Sequence, residues 1–169
     1  KQLISIWEGD ITKTAEVMSH YREILEQNPG ATATRLKLAD AYFTQRNFEE
    51  AVKQYERAYE SDSVAFSAYA SKMESTLMIL HRSAATRKDY SAAIEYAKLY
   101  KKYFPNVDPT LIYAYQYLEQ ASKTEPSDVE GHLALAKFAQ EKGLDAFARN
   151  ELQTVLREDP LNEEGLALF

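Results

Sequence analysis

The chain has 169 residues, 45% of them apolar and 27% charged, which allows a sizeable core and excludes the composition of a disordered segment. Against 20 basic residues stand 26 acidic ones, a net charge of −6, so the surface as a whole repels nucleic-acid phosphates and anionic membranes, and no nucleic-acid partner is expected. Cysteine is absent, which excludes disulfides, thiolate metal sites and a cysteine nucleophile.

No window reaches the roughly 18 apolar residues of a membrane-spanning helix, because charged or polar side chains recur every few positions; direct membrane insertion is not expected. With 5 glycines, 5 prolines and no alternating apolar run bounded by turn residues, the spacing predicts an all-α chain. Thr14 to Gln27 has helical periodicity and stops before Pro29. Thr32 to about Gln45 follows, a turn falls at Arg46 and Asn47, and Phe48 to about Ser61 returns alongside. Leu38, Tyr42, Ala51, Tyr55 and Ala58 form the facing stripes, and the small Ala39, Ala51 and Ala58 let the two backbones approach. A longer stretch from about Val64 leads to a turn near Lys88 and Asp89 and to a helix that stops before Pro105. One further helix runs from about Pro109 to Lys123, with proline in the first turn, where its missing N–H costs nothing. Val129 to Asn162 forms another hairpin, with Gly143 at its sharp reversal, and Asn162 begins a last helix ending in Leu166, Ala167, Leu168 and Phe169.

Pro29, Ser63, Pro105, Pro126 and Pro160 follow successive helices at intervals of 34, 42, 21 and 34 residues. The pattern Leu38, Ala39, Ala51, Tyr55 and Ser63 returns 97 residues later as Leu135, Ala136, Ala148, Leu152 and Pro160. These residues resemble the tetratricopeptide repeat family, whose 34-residue unit is a helix A followed by a helix B. Arg35 stands in place of the family's tryptophan and Ala39 in place of its glycine.

The resemblance implies antiparallel helix hairpins stacked in a right-handed superhelix, an α-solenoid, as a single domain over residues 1–169. It divides into a partial repeat 1–31, with Lys1 to Glu8 as the remnant of its helix A, a repeat 32–63, an extended repeat 64–105, a lone helix 109–123, a repeat 129–162 and the start of a further helix at 162–169. The extended repeat is 8 residues longer than its neighbours, about two helical turns, so its helix A is expected to project beyond them. His81 stands where the family has a small residue. The helix at 109–123 has no hairpin partner and ends like a helix B. The sequence begins with Lys1 rather than methionine and neither end carries a polar capping face, so the chain is expected to be a segment of a longer superhelix.

Chemistry-bearing constellations are sparse. His20, His81 and His132 are far apart, and His20 with Glu23, at i and i+3, is expected to be an exposed helix pair rather than two metal ligands. No serine, histidine and carboxylate form a nucleophilic motif, and no glycine loop could cradle a phosphate. Neither catalysis nor a metal or cofactor is expected. Tyr96, Tyr100, Tyr103, Tyr113 and Tyr117 fall at helical spacings and could stack on bases or sugars, but such platforms sit in positive grooves, and packing between hairpins is the expected role in an acidic chain.

In the family, helix A lines the concave face. Carrying those positions over gives Leu36, Asp40, Phe43 and Thr44 from the first complete repeat, Met78, Arg82 and Thr86 from the extended one, and Leu133, Lys137, Gln140 and Glu141 from the last. A subset of the family grips a chaperone carboxyl terminus with lysine and asparagine; Leu36, Asp40 and Ile79 occupy those places, so that clamp is missing. The resemblance implies a non-catalytic scaffold or adaptor that binds a peptide or partner protein in its groove. The alternative is a structural segment of a large secretion, envelope or trafficking assembly acting through its ends or convex face, with self-association through ragged ends.

Overall fold

A computed structural model describes residues 14–169, and among them every regular element is helical. The helix expected at Lys1 to Glu8 lies outside the described residues. Contacts divide the chain into two compact units, Lys1–Leu80 and His81–Phe169, with the division falling inside one helix.

The first unit contains α1 (Thr14–Gln27), α2 (Thr32–Thr44), α3 (Phe48–Ser61) and α4 (Ser63–Phe66), followed by a 3-10 turn at Ser67–Tyr69 and the opening of α5 (Ala70–Thr86). Helix α1 buries Val17, Met18, Tyr21 and Leu25, and α2 and α3 close on Leu38, Ala39, Tyr42, Ala51, Tyr55 and Ala58, the stripe expected from the spacing. Asn47 caps α3 by accepting from the Glu50 N–H.

The long first half of the extended repeat is not one uniformly lengthened helix. Asp62 Oδ1 accepts from the N–H groups of Val64 and Ala65 at 3.0 and 2.9 Å, starting α4 directly after α3. Phe66 then seats edge-on against Tyr55 and Tyr59, with ring centroids 6.4 and 5.4 Å apart, and the tighter 3-10 turn follows. Helix α5 has 17 residues against 13 in each of α2 and α8 (Val129–Glu141), so only part of the extra length extends the helix itself.

The second unit holds the end of α5, then α6 (Tyr90–Tyr103), α7 (Thr110–Ala121), α8, α9 (Asp145–Glu158) and α10 (Glu163–Leu168). Asp89, Asp128 and Asn162 cap α6, α8 and α10 with their side-chain oxygens. Helix α7, partnerless by sequence spacing, is packed on both sides. Tyr115, Leu111 and Ile112 join Ala93, Ile94 and Ala97 of α6, whereas Tyr117, Tyr113 and Ala114 join the core of the α8 and α9 hairpin. With apolar residues on two faces, a helix has no solvent side broad enough to stand alone.

His81, placed where the family has a small residue, is accommodated by aromatic packing. It is 3% exposed, its Nδ1 lies 2.9 Å from the Tyr115 hydroxyl, and its ring stacks on Tyr100 at 6.1 Å. The tyrosine stripe likewise packs: Tyr100 and Tyr117 are buried and Tyr96 lies against the α6 core.

Three interhelix turns repeat one geometry. Arg46, Lys88 and Gly143 have φ of 58°, 60° and 71°, and just beyond them the N–H groups of Asn47, Asp89 and Leu144 donate to the carbonyls of Tyr42, Ala84 and Ala139, each five residues back. This is the left-handed closure that glycine adopts without strain.

Candidate partner-binding faces

In the first unit α2 presents Asp40, Phe43 and Thr44. The Asp40 carboxylate pairs with the Lys72 ammonium of α5, which also lies 5.8 Å from the Tyr69 ring centroid. Phe43 is half-buried, edge-on to Phe48, and the exposed Thr44 hydroxyl donates to the Asp40 carbonyl at 2.9 Å. Leu36 is 2% exposed and belongs to the core; its stem points into the unit, so it leaves the set of surface candidates. Met78, on α5 in this unit, is half-buried.

Arg82 and Thr86 lie on the part of α5 within the second unit, both exposed, with the Thr86 hydroxyl donating to the Arg82 carbonyl. Farther along this unit, the structure brings together more of the expected residues. Leu133 and Lys137 of α8 line an open cleft of about 470 Å³ against α10, with Ala134 between them and Glu130, Asn162, Glu163 and Glu164 around the edge. Lys137 Nζ lies 2.6 Å from Glu164 Oε1, and Gln140 Nε2 donates to the Leu168 carbonyl at 2.9 Å, so both side chains tie α8 to α10. Glu141 is exposed and faces Lys142 at 2.8 Å.

Three carboxylates against one ammonium give this cleft an acidic wall over an apolar strip. Glu163 and Glu164 occupy the first turn of α10, where negative charge complements the free N–H groups. Sequence reasoning did not include Glu130, Glu163 or Glu164. The signal was available: a helix starting at Asn162 presents its first turn to the preceding helix A.

Sequence reasoning also missed a buried polar trio in the same unit. Glu151, 7% exposed, accepts from the Tyr117 hydroxyl on one oxygen, and its other oxygen lies 2.5 Å from His132 Nδ1. Burial, then the bond to Glu151, pushes the Tyr117 phenol far above its ordinary range. The trio joins α7, α8 and α9. His20 Nδ1 lies 3.3 Å from Glu23 on the surface of α1, and no group of metal-binding side chains occurs among the described residues.

No helix among the described residues is long and apolar enough to cross a membrane. No curated protein matches the chain. The family model described as tetratricopeptide repeat matches residues 12–74, which take in α1, the α2 and α3 hairpin and the start of α5. Such repeats generally mediate protein–protein interactions and are typically non-catalytic modules. The stripe, the turn geometry and this match agree: residues 12–74 are similar to the tetratricopeptide repeat.

Proposed function

We propose that the chain is a non-catalytic scaffold that holds a segment of a partner protein on its helix A faces. The observation that carries this reading is the cleft between α8 and α10: an apolar strip at Leu133 and Ala134, bounded by Glu130, Glu163 and Glu164. Such a surface suits a peptide with an aliphatic stem and a basic head, lysine or arginine, because the stem covers the strip while the head reaches the carboxylates. Asp40, Phe43 and Thr44 on α2 supply a second, mixed face. Crosslinking with mass spectrometry in cell extract would name the partner. Charge reversal at Asp40, Arg82 and Lys137, and at Glu130 and Glu163, should then change its affinity; a partner indifferent to all five would remove the helix A faces from consideration.

A second reading, assembly into a larger complex through the end of the second unit, is favoured by the exposure of Leu161 (83%), Leu166 (55%) and Phe169 (65%). Light scattering with and without Leu166–Phe169 separates the two: no dependence on this tail argues against end-to-end stacking.

A further inference from the structure

Away from these faces, Arg22 of α1, Arg35 of α2 and Arg57 of α3 converge on one open cavity of about 350 Å³ in the first unit. Its floor is the buried Leu25 and Leu38, and Glu26 is its one carboxylate. None of the three arginines forms an ion pair among the described residues. Arg22 sends Nε and Nη2 to the Tyr42 hydroxyl at 3.4 and 3.0 Å. Arg35 sends Nη1 to Gln54 Oε1 at 3.2 Å and Nη2 to the Pro29 carbonyl at 2.6 Å. Arg57 is exposed and makes neither a hydrogen bond nor an ion pair among the described residues. A guanidinium carries five N–H donors, so most of those around the cavity have no acceptor among the described residues.

This arrangement runs against the rest of the molecule. In a chain of net charge −6, three cations share a cavity with one carboxylate. Burial, and the like charge of Arg57, hold the Arg35 guanidinium below its ordinary range, as expected for cations gathered with no anion between them.

We propose that the three-arginine cavity binds a phosphate monoester carried by a partner polypeptide. Three guanidiniums less one carboxylate leave a charge that matches the −1.5 to −2, roughly, of a phosphomonoester at pH 7 better than that of a single carboxylate. Planar forks arriving from three helices surround a tetrahedral oxyanion, and arginine pairs with phosphate through two parallel N–H donors. The acidic surface repels a nucleic-acid polyanion, which favours one phosphate on a polypeptide. This site shares no residue with the α8 and α10 cleft and stands or falls independently of it.

The test follows the arginine Nε–H resonances of the ¹⁵N-labelled chain during titration with inorganic phosphate, with a blocked Gly-phosphoserine-Gly peptide, and with its serine and glutamate counterparts. The phosphopeptide should give saturable shifts at Arg35 and Arg57. The serine peptide should give none, and the glutamate peptide and inorganic phosphate should bind more weakly. Arg57→Ala, which breaks no internal bond, should weaken phosphopeptide binding about tenfold, or 1.4 kcal/mol, and Glu26→Gln should tighten it. Equal binding of the glutamate peptide would overturn the phosphate assignment, and inorganic phosphate binding as tightly as the phosphopeptide would overturn the polypeptide source. Shifts that fail to saturate, or that persist unchanged in Arg57→Ala, would overturn the site.

Discussion

His132 Nδ1 lies 2.5 Å from Glu151 Oε2, and the two residues stand 97 positions after Arg35 and Gln54, which face each other at 3.2 Å across the earlier hairpin. The same two places in the repeat, one on each helix, carry a polar bridge in both units with no residue type in common. Arg35 stands where the family pattern has a tryptophan, and His132 falls in the same register 97 residues later. Here each pair places one polar contact across its hairpin, Arg35 Nη1 to Gln54 Oε1 and His132 Nδ1 with Glu151 Oε2, while the buried His132 Nε2 has no hydrogen-bond partner among the described residues.

Glu151→Ala should cost about 2–4 kcal/mol, because it leaves the Tyr117 hydroxyl and His132 Nδ1 buried with no acceptor. Glu151→Gln should cost less, since the amide oxygen still accepts one of the two bonds. Urea denaturation at pH 7 measures both, and an unchanged midpoint for the alanine variant would show that the bridge contributes nothing.

Tyr117→Phe and Tyr55→Phe should differ. The Tyr117 hydroxyl donates to Glu151, and its loss should cost about 1–2 kcal/mol; the buried Tyr55 hydroxyl has no hydrogen-bond partner among the described residues, and its removal should be neutral to within about 0.5 kcal/mol. Burial, the largest cause for each, holds both phenols protonated above the usual range. The folded chain therefore keeps protons that the unfolded chain releases, so their stability is full below about pH 10 and falls as pH rises further. Alkaline denaturation should be shallower in Tyr117→Phe.

His81 sets a dependence of opposite sign. Burial, then the Arg82 charge, lowers its pKa, so the unfolded chain binds the proton at a higher pH than the folded one. The contribution of the neutral imidazole is full above about pH 6.5 and is lost as pH falls through the lowered folded value. Between pH 7.5 and 5 the urea midpoint should fall less in His81→Gln than in the parent, although the glutamine variant starts lower because the ring contacts with Tyr100 and Tyr115 are gone.

The left-handed turns differ in strain. Arg46 and Lys88 hold positive φ with a Cβ present, whereas Gly143 does not, so Arg46→Gly and Lys88→Gly should be neutral or stabilise by up to about 1 kcal/mol, and Gly143→Ala should cost about 1 kcal/mol. Thermal unfolding of the three variants checks this, and destabilisation by Arg46→Gly would mean that its side chain contributes more than the backbone strain costs.

Asp40→Ala should leave the fold nearly untouched. The Asp40 and Lys72 side chains are 37% and 45% exposed, and an ion pair so open to water is worth less than about 1 kcal/mol. Its denaturation curve should overlie that of the parent. A loss of partner affinity in this variant can then be assigned to the α2 face itself.

The sequence by itself determined the helices, their hairpin turns and most of the core. These follow from local chemistry: apolar spacing at a 3.6-residue period, small residues where backbones approach, capping side chains at Asn47, Asp89 and Asp128, and prolines past the helix ends. The groove positions were legible only as places on helix A, which cannot distinguish an open side chain from one turned inward. Leu36 turned inward, and Lys137 and Gln140 turned toward α10. Tertiary structure alone decided that Phe66 would anchor a broken rather than a longer helix, that α7 would be packed on two faces, and that Arg22, Arg35 and Arg57 would share one cavity. These outcomes depend on side chains 7 to 35 residues apart meeting in space, and a periodicity of 3.6 residues carries no information about which partners on different helices meet.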